Sequence, residues 1–283
     1  MGELLDFTGK TIVVTGGASG IGAATASLAA RRGAAVHVLD IAPVTDLPVA
    51  PGGHGSLTGH RCDVGDPASI DAAIGELPPD LAALMNCAGL PNGGRFSPEQ
   101  VMRVNWLGLR HLTEALLPRI GPTGAVVHIA STAGRGWPER QHLHQQLMAA
   151  TDFDSGLAWL DANRQVWGDG YAFSKEAVQY YTLWRSVQLL PTGVRMNSVC
   201  PGVTDTSIVA DFRRGLGDDI IDHAAAVAGR MARPSEMAPA MLFLADPASS
   251  SYVNGVNLNI DRGTGAARAT GQSDPIHIWG AGY

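Results

Sequence analysis

A short apolar, β-branched run at residues 11–15 passes directly into Gly16-Gly17-Ala18-Ser19-Gly20-Ile21-Gly22. An alanine-rich segment, residues 23–32, follows and stops at Gly33. No other stretch limits the fold so tightly. The run reads as a buried strand, and the segment after the glycines reads as a helix with a glycine stop. Between them, glycines at 16, 20 and 22 let backbone come close to a pyrophosphate, while the helix start offers free N–H groups and the positive end of a dipole. An ordinary tight turn would explain the glycines but not their placement between strand and helix. Strand, turn and helix together predict a dinucleotide site that includes Gly16, Ser19, Gly20, Ile21 and Gly22.

The same alternation continues down the chain. Residues 35–39 form a second strand ending at Asp40, about twenty residues beyond the turn, where a carboxylate accepts the adenosine ribose hydroxyls. Asp40 also repels a 2′-phosphate, and Ser19 stands where a basic residue would meet one, so the cofactor expected is NAD rather than NADP. The alternative is an aspartate that caps the next segment. Residues 41–59 are rich in proline and glycine and predict no full crossover helix. A third strand is expected at 60–64 with Asp63 at its end, then a helix at 66–76 capped by Asp66. A fourth strand, 81–85, ends in Asn86-Cys87-Ala88-Gly89, small residues suited to a close cofactor. A long helix at 100–117 carries Asn105 in its middle. Strands at 125–130, 194–200 and 256–260 and helices at 171–190 and 235–244 complete the pattern. The fold predicted is α/β: a single-domain, Rossmann-like, doubly wound parallel sheet spanning residues 1–283.

Composition agrees with this. The chain has 283 residues, 45% hydrophobic and 16% charged, enough apolar surface for one large core. A formal charge of −6 without a basic run argues against nucleic acid. No stretch suits a bilayer span, and the first ten residues lack the pattern of a signal peptide. The three cysteines, Cys62, Cys87 and Cys200, lie in or beside expected strands and read as reduced core residues of a cytoplasmic protein. No metal site is expected.

Tyr171 and Lys175 stand four apart at the start of a predicted helix and so share one face. An ammonium near a phenol lowers the phenol's pKa, and a tyrosine so tuned exchanges protons with an alcohol or carbonyl. In isolation such a pair occurs on many solvated helices. The motifs around it change its meaning. Thr15-Gly16-x-x-x-Gly20-x-Gly22, Asp63-Val64, Asn86-x-Ala88-Gly89, Asn105, Ser131, Tyr171-x-x-x-Lys175 and Pro201-Gly202-x-x-x-Thr206 occur in the order of the short-chain dehydrogenase/reductase family, which the chain resembles over about residues 9–263.

The resemblance implies roles. Tyr171 is the general acid/base, Ser131 bonds the substrate oxygen, and Lys175 binds the nicotinamide ribose and holds the pKa of Tyr171 down. Asn105 holds a water that links Lys175 to solvent. Asp63 and the Val64 backbone meet the adenine, Asn86, Ala88 and Gly89 line the cofactor, and Pro201, Val203 and Thr206 flank the carboxamide. The activity implied is NAD-dependent oxidation of a bulky apolar or aryl alcohol, secondary or cinnamyl-like, or reduction of the matching carbonyl. A non-catalytic NAD-binding sensor or scaffold is the alternative, although it need not keep the whole proton relay. An epimerase of this fold would bring a sugar-binding domain for which the chain is too short.

One departure stands out. An insertion at about residues 135–166, with its own helical pattern at 140–148 and 153–166, precedes the Tyr171 helix. It resembles the branch containing bacterial 3α-hydroxysteroid dehydrogenase/carbonyl reductase and coniferyl-alcohol dehydrogenase. An insertion there obstructs the helix pairing by which many family members tetramerise, so a homodimer through another surface or a rearranged homotetramer is expected. Trp137, Trp159 and Trp167 are candidates for an apolar pocket wall with Phe212 and Met231, or else for the insertion's own core. His142 and His144 read as solvated helix residues. The tail, residues 263–283, ends in Ile276, Ile278, Trp279 and Tyr283 and is expected to dock on the molecule or a neighbour.

Overall fold

The computed structural model describes residues 4–44 and 54–272. Seven strands form one parallel sheet: β1 (Thr11–Thr15), β2 (Ala35–Asp40), β3 (Ser56–Arg61), β4 (Leu81–Asn86), β5 (Ile120–Ile129), β6 (Arg195–Pro201) and β7 (Asn257–Ile260). Their spatial order is β3-β2-β1-β4-β5-β6-β7. The chain reverses direction across the sheet between β1 and β4, and in such sheets ligands sit at the carboxyl ends beside that switch.

Both faces of the sheet are covered, which is why its central strands are continuous apolar runs rather than alternations. Val13, Leu84, Val126 and Met196 face one core. Ile12, Val14, Val36, Met85 and Val127 face the other. The second core is closed by α1 (Gly20–Arg31) and a later helix, Ala238–Ala245. The first is closed by α2 (Pro67–Gly75), by α3 (Pro98–Met102), and by α4 (Leu109–Leu116). Among the described residues no helix is long and apolar enough to cross a membrane.

The insertion folds as three helices, α5 (Gln141–Ala149), α6 (Phe153–Ala162) and α7 (Arg164–Trp167), laid against α8 (Tyr171–Gln188). Then come α9 (Val209–Leu216), α10 (Asp218–Ala228), α11 (Ala238–Ala245), α12 (Pro247–Ser250) and α13 (Thr264–Ala269).

Several expectations are corrected. β3 begins at Ser56, not residue 60, and Asp63 lies beyond its end. This edge strand pairs only with β2 and is mostly exposed, so it lacks the apolar run that betrays a buried strand. The helix expected at 100–117 is interrupted by a π-helical segment, Arg103–Gly108. Gly108 makes that segment possible: a Cβ there would lie 1.5 Å from the Val64 carbonyl oxygen, so the backbones touch. The helix expected at 153–166 breaks at Asn163, whose side chain donates to the Trp159 carbonyl at 2.8 Å. The helix expected at 235–244 is preceded by a 3-10 turn, Pro234–Glu236, and starts at Ala238. Helices α9, α10, α12 and α13 stand outside the helices expected from the sequence. The expected lack of a crossover helix at 41–59 falls in part, and the docking of the tail aromatics wholly, outside the described residues.

Candidate active site

A cavity of about 1170 Å³ opens at the carboxyl ends of the strands. Its floor is the turn between β1 and α1. Gly16 and Gly22 have no room for side chains: a Cβ on Gly16 would stand 2.6 Å from the Ala88 Cα, and one on Gly22 2.1 Å from the Gly16 carbonyl oxygen. Gly20 sits at φ 56, in the left-handed region. The turn is therefore pressed flat against α1 and the end of β4, leaving its outer edge, with Ser19 and Ile21, on the cavity. Thr15 completes the joint, its hydroxyl oxygen accepting from the N–H groups of Cys87 and Ala88 at 3.0 Å each. That positioning role went unread, though Thr15 stands in the motif itself.

Asp40 lines the cavity with one carboxylate oxygen accepting from Ala18 N–H at 2.9 Å and the other from Ala42 N–H at 2.9 Å. It thus caps the local backbone while lining the cavity. Asp63, Val64, Ala88, Gly89, Pro201, Val203 and Thr206 also line the cavity. Asp63 accepts from Gly65 N–H at 2.8 Å.

Asn86 does not line it. Its side chain turns under β4, where Nδ2 donates to Thr113 Oγ1 at 2.9 Å and lies 3.1 Å from His128 Nδ1. It holds the site from below, because the strand's alternation points it into the core rather than the cavity.

Tyr171, Ser131 and Lys175 converge above the turn. Tyr171 opens α8, with its N–H donating to Asp169 Oδ1 at 3.0 Å. Gly170, at φ 81, forms the corner before it, and a Cβ there would strike the Pro98 carbonyl oxygen at 2.6 Å. Ser131 ends β5 and caps a 3-10 turn, Thr132–Gly136, by accepting from Ala133 N–H at 3.1 Å. Its side chain is also hydrogen-bonded to Tyr171. Lys175 reaches past the phenol ring, with Nζ 5.8 Å from its centroid, to donate to the Ile129 carbonyl at 2.9 Å. The edge of Phe212, from α9, packs on Tyr171 at 4.9 Å between centroids.

The electrostatics differ from the expected lowering of Tyr171. Burial pushes its phenol up to about 12, the Ser131 hydrogen bond pulls it down, and the charge of Asp169 pushes it further up. Burial likewise brings the Lys175 ammonium down to about 8. Both shifts have one physical cause, because a site closed from water disfavours the charged form of each group.

Asn105 sits in the π segment, fully buried. Its Oδ1 accepts from Leu90 N–H at 2.7 Å, and its Nδ2 donates to the Leu90 carbonyl at 2.9 Å and to Ser174 Oγ at 3.2 Å. Its side chain clamps the loop after β4 and does not line the cavity. Of the two expectations for the tryptophans, core packing rather than a pocket wall is what the structure shows. Trp159 stacks on Phe173 with rings 8° from parallel, Trp137 packs against Tyr180, and Trp167 donates to the Leu160 carbonyl at 2.9 Å. They fill the joint between insertion and α8; of the proposed wall only Phe212 lines the cavity. His142 is exposed, but His144 is fully buried and its Nε2–H donates to Glu176 at 3.0 Å.

A doubly wound sheet with a glycine-turn cavity and a serine, tyrosine and lysine gathered over it defines a nicotinamide-dependent oxidoreductase. Comparison with known proteins fixes the family. A model described as short chain dehydrogenase matches residues 10–142, and one described as enoyl-(acyl carrier protein) reductase matches residues 157–265. The chain is 37% identical to coniferyl-alcohol dehydrogenase of Pseudomonas sp. (strain HR199 / DSM 7063), over 92% of this chain and 98% of that protein. It is 30% identical to 3-alpha-hydroxysteroid dehydrogenase/carbonyl reductase of Comamonas testosteroni, over 90% and 96%. The solved structure of levodione reductase superimposes with a TM-score of 0.71, covering 92% of this chain and 99% of its own at 24% identity, a likeness of fold alone. The chain belongs to the short-chain dehydrogenase/reductase family and is an oxidoreductase acting on alcohol or carbonyl groups.

Proposed function

We propose that the protein is an NAD-dependent dehydrogenase interconverting a bulky apolar or aryl alcohol and its carbonyl. The observation that carries this reading is the convergence of Ser131, Tyr171 and Lys175 in one cavity above the glycine turn. When bound, the nicotinamide supplies the hydride exchange. The groups of the turn fit such a cofactor, since Gly16 and Gly22 admit no side chain and Ser19 and Gly20 face the cavity.

In alcohol oxidation Ser131 holds the substrate oxygen by a hydrogen bond, and Tyr171 takes the hydroxyl proton at its phenol oxygen. In reduction Tyr171 returns that proton. The Lys175 ammonium, buried beside the ring, stabilises the phenolate formed on the way, while Phe212 and the insertion-backed helix keep water away.

Preference for NAD rests on Asp40. Its carboxylate is fixed by two N–H groups at the strand end, Ile41 beside it is 63% exposed and uncharged, and its register partner Arg61 does not line the cavity. The name of the coniferyl-alcohol relative supports an aryl alcohol, and the steroid relative supports a bulky apolar one. The test is reduced-nicotinamide absorbance with NAD and with NADP over a panel of secondary, steroid and cinnamyl-type alcohols, beside Tyr171→Phe. Turnover with NAD that vanishes in the variant is expected. A preference for NADP would overturn the role of Asp40, and binding of NAD without turnover would favour a sensor.

A further inference from the structure

Charge is spread unevenly along the cavity. Asp40, Asp63 and Asp66 lie around the glycine turn and the loop after β3, while Glu236 and Asp261 line other parts of it. Arginines gather elsewhere along the wall: Arg135 in the 3-10 turn that Ser131 caps, and Arg262 and Arg268 in the segment after β7.

The acids near these arginines are otherwise engaged. Glu176 is buried between Arg140 and His144. Asp261 accepts from the N–H groups of Gly263 and Gly265 and from the Thr264 hydroxyl. Glu236 pairs with Arg230. Among the described residues the side chains of Arg262 and Arg268 make no hydrogen bond or ion pair, and Arg135 donates only to the Thr132 carbonyl at 3.2 Å. Arg262 stands at φ 53, an uncommon conformation for a side-chain-bearing residue. Arg135 and Arg268 are also near enough to feel each other. The Arg135 guanidinium is held below its ordinary range by burial and then by the Arg268 charge, with the Glu176 charge opposing, and Arg268 is lowered by burial alone. Arg135 and Arg268 thus share one wall of the cavity as like charges, offset in part by Glu176 at Arg135, and leave donors that an anion can take up.

We propose that this end of the cavity is an anion subsite, and that the substrate is an alcohol or carbonyl whose apolar body carries a carboxylate-like group remote from the reacting carbon. The proposal rests on the dehydrogenase reading above. The substrate is favoured over the phosphates of the cofactor as the source of the anion by position. Arg135 belongs to the turn that Ser131 caps, and Ser131 touches Tyr171, so the subsite lies on the substrate's side of the cavity, one ring's length from the reacting carbon rather than at the glycine turn.

The test uses a matched pair, 4-(1-hydroxyethyl)benzoate and its methyl ester, with wild type, Arg135→Gln, Arg268→Gln, the double variant and Arg268→Glu. Wild type is expected to prefer the acid by at least about tenfold in kcat/KM, the double variant to bring the ratio near one, and Arg268→Glu to turn it towards the ester. Equal use of acid and ester by wild type overturns the subsite while leaving the dehydrogenase standing. A rise in the KM for NAD that accounts for the variants' losses assigns the arginines to the cofactor and overturns the substrate assignment.

Binding is measured separately, by titrating 4-acetylbenzoate and its methyl ester into the Tyr171→Phe enzyme with NADH and following the heat. Preference for the acid that depends on Arg135 and Arg268 is expected even if turnover fails, which would sink the function and spare the subsite. Equal or absent binding of the acid overturns the subsite.

Discussion

The Tyr171 phenol is held between two neighbours of opposite effect. The Ser131 hydrogen bond lowers its pKa and the Asp169 charge raises it, against a burial that pushes it to about 12. In the proposed mechanism oxidation needs the phenol to give up its proton, so the rate should rise with pH along the limb that this group sets. Ser131→Ala, besides its loss in rate, should move that limb to higher pH. Asp169→Asn keeps an oxygen for the Tyr171 N–H but removes the charge, and should move the limb to lower pH. The pH profile of kcat/KM checks both, and shifts of the same sign would refute the account. Tyr171→Phe removes the proton path, and a fall of about 10²–10⁴-fold is expected. At this scale the sequence revealed residue types and their spacing but not their facing. Asn86 and Asn105 stand inside motifs that border the cavity, yet both amides turn into the protein, one to Thr113 and the other to Leu90. Only the sheet's alternation and the π segment settle that, and a one-dimensional pattern carries neither.

The insertion is tied to α8 by a buried acid. Glu176, next in the chain to Lys175, meets Arg140 through two guanidinium nitrogens and His144 through its ring, and Arg140 also donates to the Val166 carbonyl at 3.0 Å. Removing the acid strands a nearly buried guanidinium, so Glu176→Ala should lose about 3–5 kcal/mol in urea unfolding. His144→Ala should be clearly destabilised, whereas the exposed His142→Ala should stay within about 0.5 kcal/mol. Gly108→Ala would place a methyl on the Val64 carbonyl and should lower soluble yield and Tm sharply. Element boundaries were legible where apolar periodicity was strong, as in β1, α2 and α8. They were not at β3, an exposed edge, nor at Asn163, where a side-chain bond to Trp159 ends the helix. The sequence left the insertion's tryptophans open between a pocket wall and the insertion's own core, because periodicity does not say what a side chain packs against. Their partners Phe173 and Tyr180 lie on α8, so they form the joint and not the pocket.

Across the whole molecule, the sheet rests on buried polar groups that resist charging. His128, at the carboxyl end of the inner strand β5, is brought from 6.5 down to about 3 by burial and then by the Lys175 charge. As pH falls below 6.5 the unfolded chain takes up this proton while the folded one refuses it. Stability is then full above about 6.5 and declines by about 1.4 kcal/mol per pH unit towards 3. Urea unfolding of wild type and His128→Asn at pH 7 and 5 should differ in slope by about 2 kcal/mol over that interval, with wild type falling more steeply. Cofactor binding acts in the opposite sense. NAD at a hundred times its Kd should add about 2.7 kcal/mol, seen as a rise in Tm, and NADP at the same concentration should add less.

The pairing of β1 with both β2 and β4 also bears on how the molecule is made. The Thr15 hydroxyl waits for the Cys87 N–H, 72 residues further along the chain. As the chain emerges from the ribosome, β1 can join β2 early, but its other edge stays open until β4 has been synthesised. That edge is apolar, β-branched and free of charge from Ile12 to Thr15, the kind of strand that recruits other chains when left unpaired. Ribosome stalling or truncation before residue 87 should therefore yield aggregating nascent chains, and release beyond it chains that can close their central strand.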